Sequence, residues 1–176
     1  MNSRRLLRTT ICTAVLIGVP WLALFASDEQ KPAAPELKKE LLSGKVVLLT
    51  EALARRKIAA YPEELKGQVV LETRSGELLP IVPDWRARAF YQDERLRNRP
   101  VDLIVHRAPG VPWLKVLTIY TFDEKGVRQF TDYWCDICAI PMYEIKECDC
   151  CQGPIRLRFQ PAELPSDVSP APSKTP

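Results

Sequence analysis

The stretch WCDICAIPMYEIKECDCC, residues 134–151, holds five of the chain's six cysteines within seventeen positions. No other feature restricts the fold as strongly, because thiols this close in sequence must share a metal, pair as disulfides or stand as reactive groups. The spacing reads Cys135-x2-Cys138, nine residues, then Cys148-x2-Cys151, with Cys150 inside the second unit. Each C-x-x-C unit is a tight turn whose two sulfurs approach one ion at about 2.3 Å, and two units complete a tetrahedral thiolate shell. Nine residues suffice for two strands of roughly four residues and a turn, returning the second unit beside the first. The expected metal ligands are therefore Cys135, Cys138, Cys148 and Cys151, with Cys150 as the alternative ligand.

Four thiolates suit zinc or a single iron; zinc is the expected metal and iron the alternative. A closed four-cysteine shell keeps no position open for substrate, so the site predicts stabilisation and not Lewis-acid catalysis. Ala139 follows Cys138 where glycine eases such a turn, and Gly153 follows Cys151 only after Gln152, so the second knuckle is expected to be the better formed. The spacer is also shorter than the roughly 15 to 20 residues usual between such pairs. Disulfides compete with metal if the chain is exported to an oxidising compartment. Losing Cys12 with a cleaved signal would leave five thiols, an odd number, so one would stay free or pair between chains. A redox-active dithiol is the third reading. Asp132, Asp136, Glu144, Glu147 and Asp149 add negative charge nearby, which raises a free thiol's pKa and argues against a highly reactive Cys150.

The first 27 residues carry arginines at 4, 5 and 8, an apolar run over 11–26 and small residues at Ala26 and Ser27. That layout predicts a signal peptide or signal anchor over 1–27, with membrane attachment through residues 6–26 if it is not cleaved. Ser3-Arg4-Arg5-Leu6-Leu7 also resembles the opening of a twin-arginine signal, a route for proteins that fold before export. The expected location is periplasmic, or membrane-anchored facing the periplasm. Residues 28–44 are charged and proline-bearing and read as a flexible tether, with one helical turn over 36–42. Residues 161–176 read as a disordered Pro/Ser tail.

Between these ends a period-2 pattern dominates. Strand runs are expected at 46–49, 69–73, 78–82, 101–106, 113–122, 127–134 and 155–159, with a hairpin at Ser75-Gly76. The run WLKVLTIYTF, apolar on both faces, predicts the most central strand, while 101–106 reads as half-buried. Thr50 and Asp84 are placed to cap helices over 51–57 and 85–92. The fold class is mainly β: a small OB-like barrel over 45–134, followed by a two-knuckle, zinc-ribbon-like cysteine hairpin and final strand over 135–160.

With 25 basic and 22 acidic residues the net charge is only +3, so there is no strong nucleic-acid signal. Six arginines between 84 and 108 are interleaved with Asp84, Asp93, Glu94 and Asp102, the mark of an ion-paired face rather than a phosphate site. Binding of an oligonucleotide or glycan on the barrel would require Trp85, Phe90 and Tyr91 to be exposed. His106, the only histidine, lies on a strand remote in sequence from the cysteines. No nucleophile elbow, phosphate loop or H-E-x-x-H pattern occurs, so no catalytic residue is assigned.

Arg99-Pro100-Val101, the run WLKVLTIYTF, YWCDIC (133–138) and CDCCQGPIRLR (148–158) together resemble an uncharacterised family of small exported bacterial (planctomycete-type) proteins. The resemblance spans roughly residues 67–159 and implies an envelope location and a shared domain architecture, with no assigned activity. The two C-x-x-C units alone resemble zinc-ribbon and rubredoxin-like knuckles. Tyr133-Trp134 before Cys135 resembles the aromatic approach of the rubredoxin kind, in which iron carries one electron. The expected function is a non-enzymatic binding or structural module, with a redox protein as the alternative.

Overall fold

The computed structural model describes residues 39–168. The signal-like segment, Cys12, most of the tether and the last eight residues lie outside the described residues. Among those described, no helix is long and apolar enough to cross a membrane.

Eight strands and two short helices follow one another: β1 (Lys39–Leu48), α1 (Leu49–Arg55), β2 (Val69–Thr73), β3 (Leu78–Pro80), α2 (Arg88–Gln92), a 3-10 turn (Glu94–Leu96), β4 (Pro100–Arg107), β5 (Leu114–Phe122), β6 (Arg128–Cys135), β7 (Ile140–Met142) and β8 (Arg156–Pro161). The strands form one antiparallel sheet in the order β3-β2-β1-β4-β5-β6-β7, with β8 added to β6. The sheet is not closed, so the expected barrel is not established; the fold is mainly antiparallel β with a cysteine cluster. A single parallel bridge, Ile81 to Leu114, joins the end of the β2–β3 hairpin to the start of β5, and Val82 N–H donates to Leu114 O at 3.0 Å.

The hairpin at Ser75-Gly76 forms as its sequence predicts, with Gly76 at φ 82°. Asp84 accepts from the N–H groups of Arg86 and Ala87 ahead of α2, whereas α1 starts at Leu49 with no side-chain cap, so Thr50 does not cap it.

β1 corrects the tether boundary. Lys39–Gly44 lie inside the strand, and the expected helical turn is extended there, because Leu41 and Leu42 point to opposite faces and both are buried. A strand covered on both faces shows no alternation, which hid it among the flanking charges. The first half of β1 pairs with β4 and the second half with β2, and Gly44 pairs across to both Val101 and Thr73. A Cβ at Gly44 would sit 2.3 Å from Glu72 O, so only glycine allows this handover.

β4, not β5, is the central strand: Val101 through Val105 are all buried, including Asp102 and Ile104. Its inner face meets the main core of Val46, Leu71, Phe90, Leu103, Leu114 and Met142. The outer face is covered by a second cluster in which Leu41, Ile104 and Tyr120 meet Ala162, Leu164 and Val168. Ala162, Leu164 and Val168 of the expected tail are therefore packed, and Lys39 pairs with Asp167 at 2.9 Å. A bulge explains why β5 looks apolar on both faces: pairing passes from Ile104–Thr118 to Val105–Val116. The skipped Leu117 joins the outer cluster, while Val116 and Ile119 both reach the core.

Candidate metal centre

β6 is the scaffold of the cysteine site. Along one edge it pairs with β8 from Gln129 to Trp134. Its other edge serves β5 through Arg128–Phe130 and β7 through Tyr133–Cys135. Each knuckle thereby lands at the same end of β6: the first is the β6–β7 turn itself, and the second is the turn that feeds β8. The expected two-stranded hairpin between the pairs does not form. After β7 the chain runs irregularly through residues 143–147, because the second pair returns along the far edge of β6 rather than beside β7.

The two turns share one geometry. Ala139 N–H donates to Cys135 O at 2.9 Å, and Gln152 N–H donates to Cys148 O at 2.9 Å. Ala139 and Gln152 take φ of 53° and 57°, the left-handed region in which glycine is easiest. Both knuckles are therefore equally formed, contrary to the expectation drawn from the glycines. Gly153 serves another need: a Cβ there would lie 2.9 Å from Ile137 Cδ1 and 3.2 Å from Cys151 Sγ.

The sulfurs of Cys135, Cys138, Cys148 and Cys151 all lie within 4.8 Å of one another, and those of Cys135 and Cys151 are 3.5 Å apart. A tetrahedron with 2.3 Å bonds separates its sulfurs by about 3.8 Å, so this donor set is close enough to hold a metal ion. Bonded sulfurs would be about 2.05 Å apart, and all five cysteines here are free thiols. Cys150 is exposed and stands outside the group of four.

Backbone N–H groups point at the first sulfur of each knuckle. Cys148 Sγ receives the N–H groups of Cys151 and Cys150, which pull its pKa down to about 7. Cys135 Sγ receives the Cys138 N–H at 3.4 Å, which also pulls downward. Burial and the sulfurs of Cys148 and Cys151 nevertheless hold Cys135 above its ordinary value. Cys138 is pushed up by the sulfurs of Cys150 and Cys151, by burial and by Cys148. Thiols crowded this way cannot all ionise unless a cation joins them, and a divalent metal supplies that charge.

The acidic surroundings are largely neutralised. Asp132 pairs with Arg158, Asp136 with Arg156, Asp149 with Lys146, and Glu144 with both Arg88 and Lys146. Of the five acids that the sequence sets around the cluster, only Glu147 has no ion pair among the described residues, so the negative field is weaker than the composition implies. Arg158 also lies 3.5 Å over the Trp134 ring. Tyr133 is buried in the core and donates its hydroxyl to Asp93. Both aromatics therefore pack within the sheet, Trp134 under Arg158 and Tyr133 in the main core.

The arginine-rich segment is ion-paired in part, and only Arg95 pairs with an acid of the segment itself. Arg95 binds Asp93, Arg88 binds Glu144 and Arg107 meets Glu77, while Arg97 and Arg99 donate to backbone carbonyls. Arg86 covers Trp85 and Tyr143. Phe90 is fully buried and Tyr91 donates to Ile81 O, which leaves Trp85 alone of the three aromatics exposed and removes the stacking platform. His106 pairs in β4 with Lys115 and is not part of the cysteine group. Sequence reasoning noted Ala139 and Gln152 after the two C-x-x-C units but did not foresee that both take the left-handed conformation without glycine. Set beside known protein families, curated proteins and solved structures, the chain matches none.

Proposed function

We propose that the chain is an exported envelope protein acting as a non-enzymatic binding or structural module, held at its C-terminal end by one zinc ion on Cys135, Cys138, Cys148 and Cys151. The observation that carries this reading is the convergence of four sulfurs within 4.8 Å on two matching knuckles. For such a site, metal binding free energy is folding free energy. The signal-like N-terminus supports export, and the resemblance to small exported bacterial proteins agrees with it. The OB-like reading of the first five strands is supported by the order β3-β2-β1-β4-β5, by α2 lying between β3 and β4, and by the parallel bridge from Ile81 to Leu114.

Iron is the second reading because four cysteine sulfurs within 4.8 Å of one another suit a single iron as well as zinc. Elemental analysis of protein purified without added metal tests both readings. One zinc per chain and no visible colour is expected; one iron with visible absorption would make the site an electron carrier. Cys150→Ser should leave the metal content unchanged, and loss of metal from that change alone would overturn the ligand assignment.

A further inference from the structure

A cavity of about 490 Å³ opens far along the sheet from the cysteines, lined by Gly44 and Lys45 of β1, Arg74 and Gly76 of the β2–β3 turn, Val101 of β4 and Phe122 of β5. We propose that it binds a small organic anion: a carboxylate or phosphate ester attached to a flat apolar group.

Three features of the walls point to that class. The first is charge. Two carboxylates also line the cavity, but both are already neutralised from within the fold. Asp102 accepts from Ser43 Oγ at 2.6 Å and from Arg128 at 2.7 and 3.0 Å, and Glu72 is held by Arg56 and Arg55. Lys45 and Arg74 have no ion-pair partner among the described residues. The unspent charge at the rim is therefore positive, which favours an anion.

The second feature is the apolar wall. Phe122 is half-buried and supplies the apolar ring, while Val101, whose side chain belongs to the main core on the other face of the sheet, and Gly44, which has none, leave bare backbone beside it. A flat hydrocarbon group fits such a floor, and the volume falls within the roughly 300 to 1,000 Å³ of small-molecule sites.

The third is rigidity. Thr73 ties the turn that carries Arg74 by accepting from Glu77 N–H at its hydroxyl (3.0 Å) and from Gly76 N–H at its carbonyl (2.9 Å). Phe122 is fixed by Arg99, which donates to its carbonyl at 3.0 Å, and by the Arg128 guanidinium 5.7 Å from its ring. Because Arg128 also clamps Asp102, the apolar wall and the neutralised carboxylate are positioned by one side chain. A preformed wall spares the ligand the entropy of ordering it.

The site stands independently of the metal, so its failure and that of the zinc reading are separable. The test is an NMR titration of the full chain, metal-loaded as isolated, with benzoate, phenyl phosphate, inorganic phosphate and benzyl alcohol. The expected result is a saturable shift of the Gly44, Gly76 and Val101 amides with benzoate or phenyl phosphate. The two half-probes should bind at least about tenfold more weakly, one lacking the ring and the other the charge. In the double variant Lys45→Ala, Arg74→Ala, both positions being exposed, affinity should fall by a similar factor while the remaining spectrum stays in place. No saturable shift with either aromatic anion would overturn the proposal. So would unchanged affinity in the double variant, or inorganic phosphate binding as tightly as phenyl phosphate.

Discussion

The two ends of the sheet are held together by different means. From β3 to β5 the strands enclose a continuous apolar core, with Leu71, Ile81, Phe90, Leu103 and Leu114 all buried. Each such side chain contributes roughly 1.5 to 3 kcal/mol by leaving water. From β6 to β8 the material is thinner: β7 has three residues, and β8 has no fully buried position. Tyr133 and Met142 still reach the main core, with Ile140 and Leu157 packed against it, and the other contacts are ion pairs, a cation over an aromatic ring and four convergent sulfurs. The difference teaches why the cysteines are where they are. Strands this short gain from a local crosslink, and a metal on the four convergent sulfurs would join both edges of β6.

The sharpest way to break that contrast is to remove the metal. Cys138→Ser, or a strong chelator, should release the ion and disorder residues 136–160, while amide protection in β1 to β5 persists. Hydrogen exchange by residue reads this directly. Loss of protection across the whole sheet would show that the two regions form one cooperative unit.

The reverse experiment attacks the apolar end. Leu103→Ala should cost about 3 kcal/mol through the cavity it leaves, lowering the denaturation midpoint while the metal content stays the same. A metal-free Leu103→Ala protein would argue against independence.

Between the regions stands Asp93, which links Tyr133 of β6 to Arg95 beside α2. Burial alone would raise its pKa, but the Arg95 side chain, the Tyr133 hydroxyl and the Arg95 N–H outweigh burial and hold it at about 2. Because the folded value lies below the unfolded one, the contribution is complete above about pH 4 and is lost as pH falls from there towards 2. It amounts to about 2 kcal/mol. Denaturant titrations at pH 5 and pH 2.5 should differ by most of that amount, and Asp93→Asn should flatten the difference.

The smallest effect concerns the knuckles. Ala139→Gly relieves a left-handed residue worth about 1 kcal/mol, offset in part by glycine's greater chain entropy. Thermal denaturation should show a change between zero and about 1 kcal/mol in the stabilising direction. A clear loss of stability would mean that the turn gains nothing from glycine.

Much of this arrangement was legible in the sequence because it follows period or spacing. β2 matched its predicted run, the Ser75-Gly76 turn formed, and the two C-x-x-C units converged. What escaped was set by contacts distant in sequence. Leu41 and Leu42 showed no alternation because one faces each side of a sheet covered twice. Leu164 and Val168 looked like stray apolar residues in a polar tail until Ile104 and Tyr120 supplied their partners. The equivalence of the knuckles was hidden because Ala139 and Gln152 accept a backbone conformation for which neither residue type is selected. Charge pairing across strands, such as Asp132 with Arg158, likewise needs the register before it can be seen.

The central claim, that the four sulfurs grip a metal and Cys150 does not, is tested most directly by counting alkylated thiols in the mature protein before and after chelation, without reductant. One reactive thiol at Cys150 beforehand and all five afterwards is the predicted result. Fewer than five after chelation and full denaturation would reveal disulfides, and all five reacting from the start would show that no metal protects them.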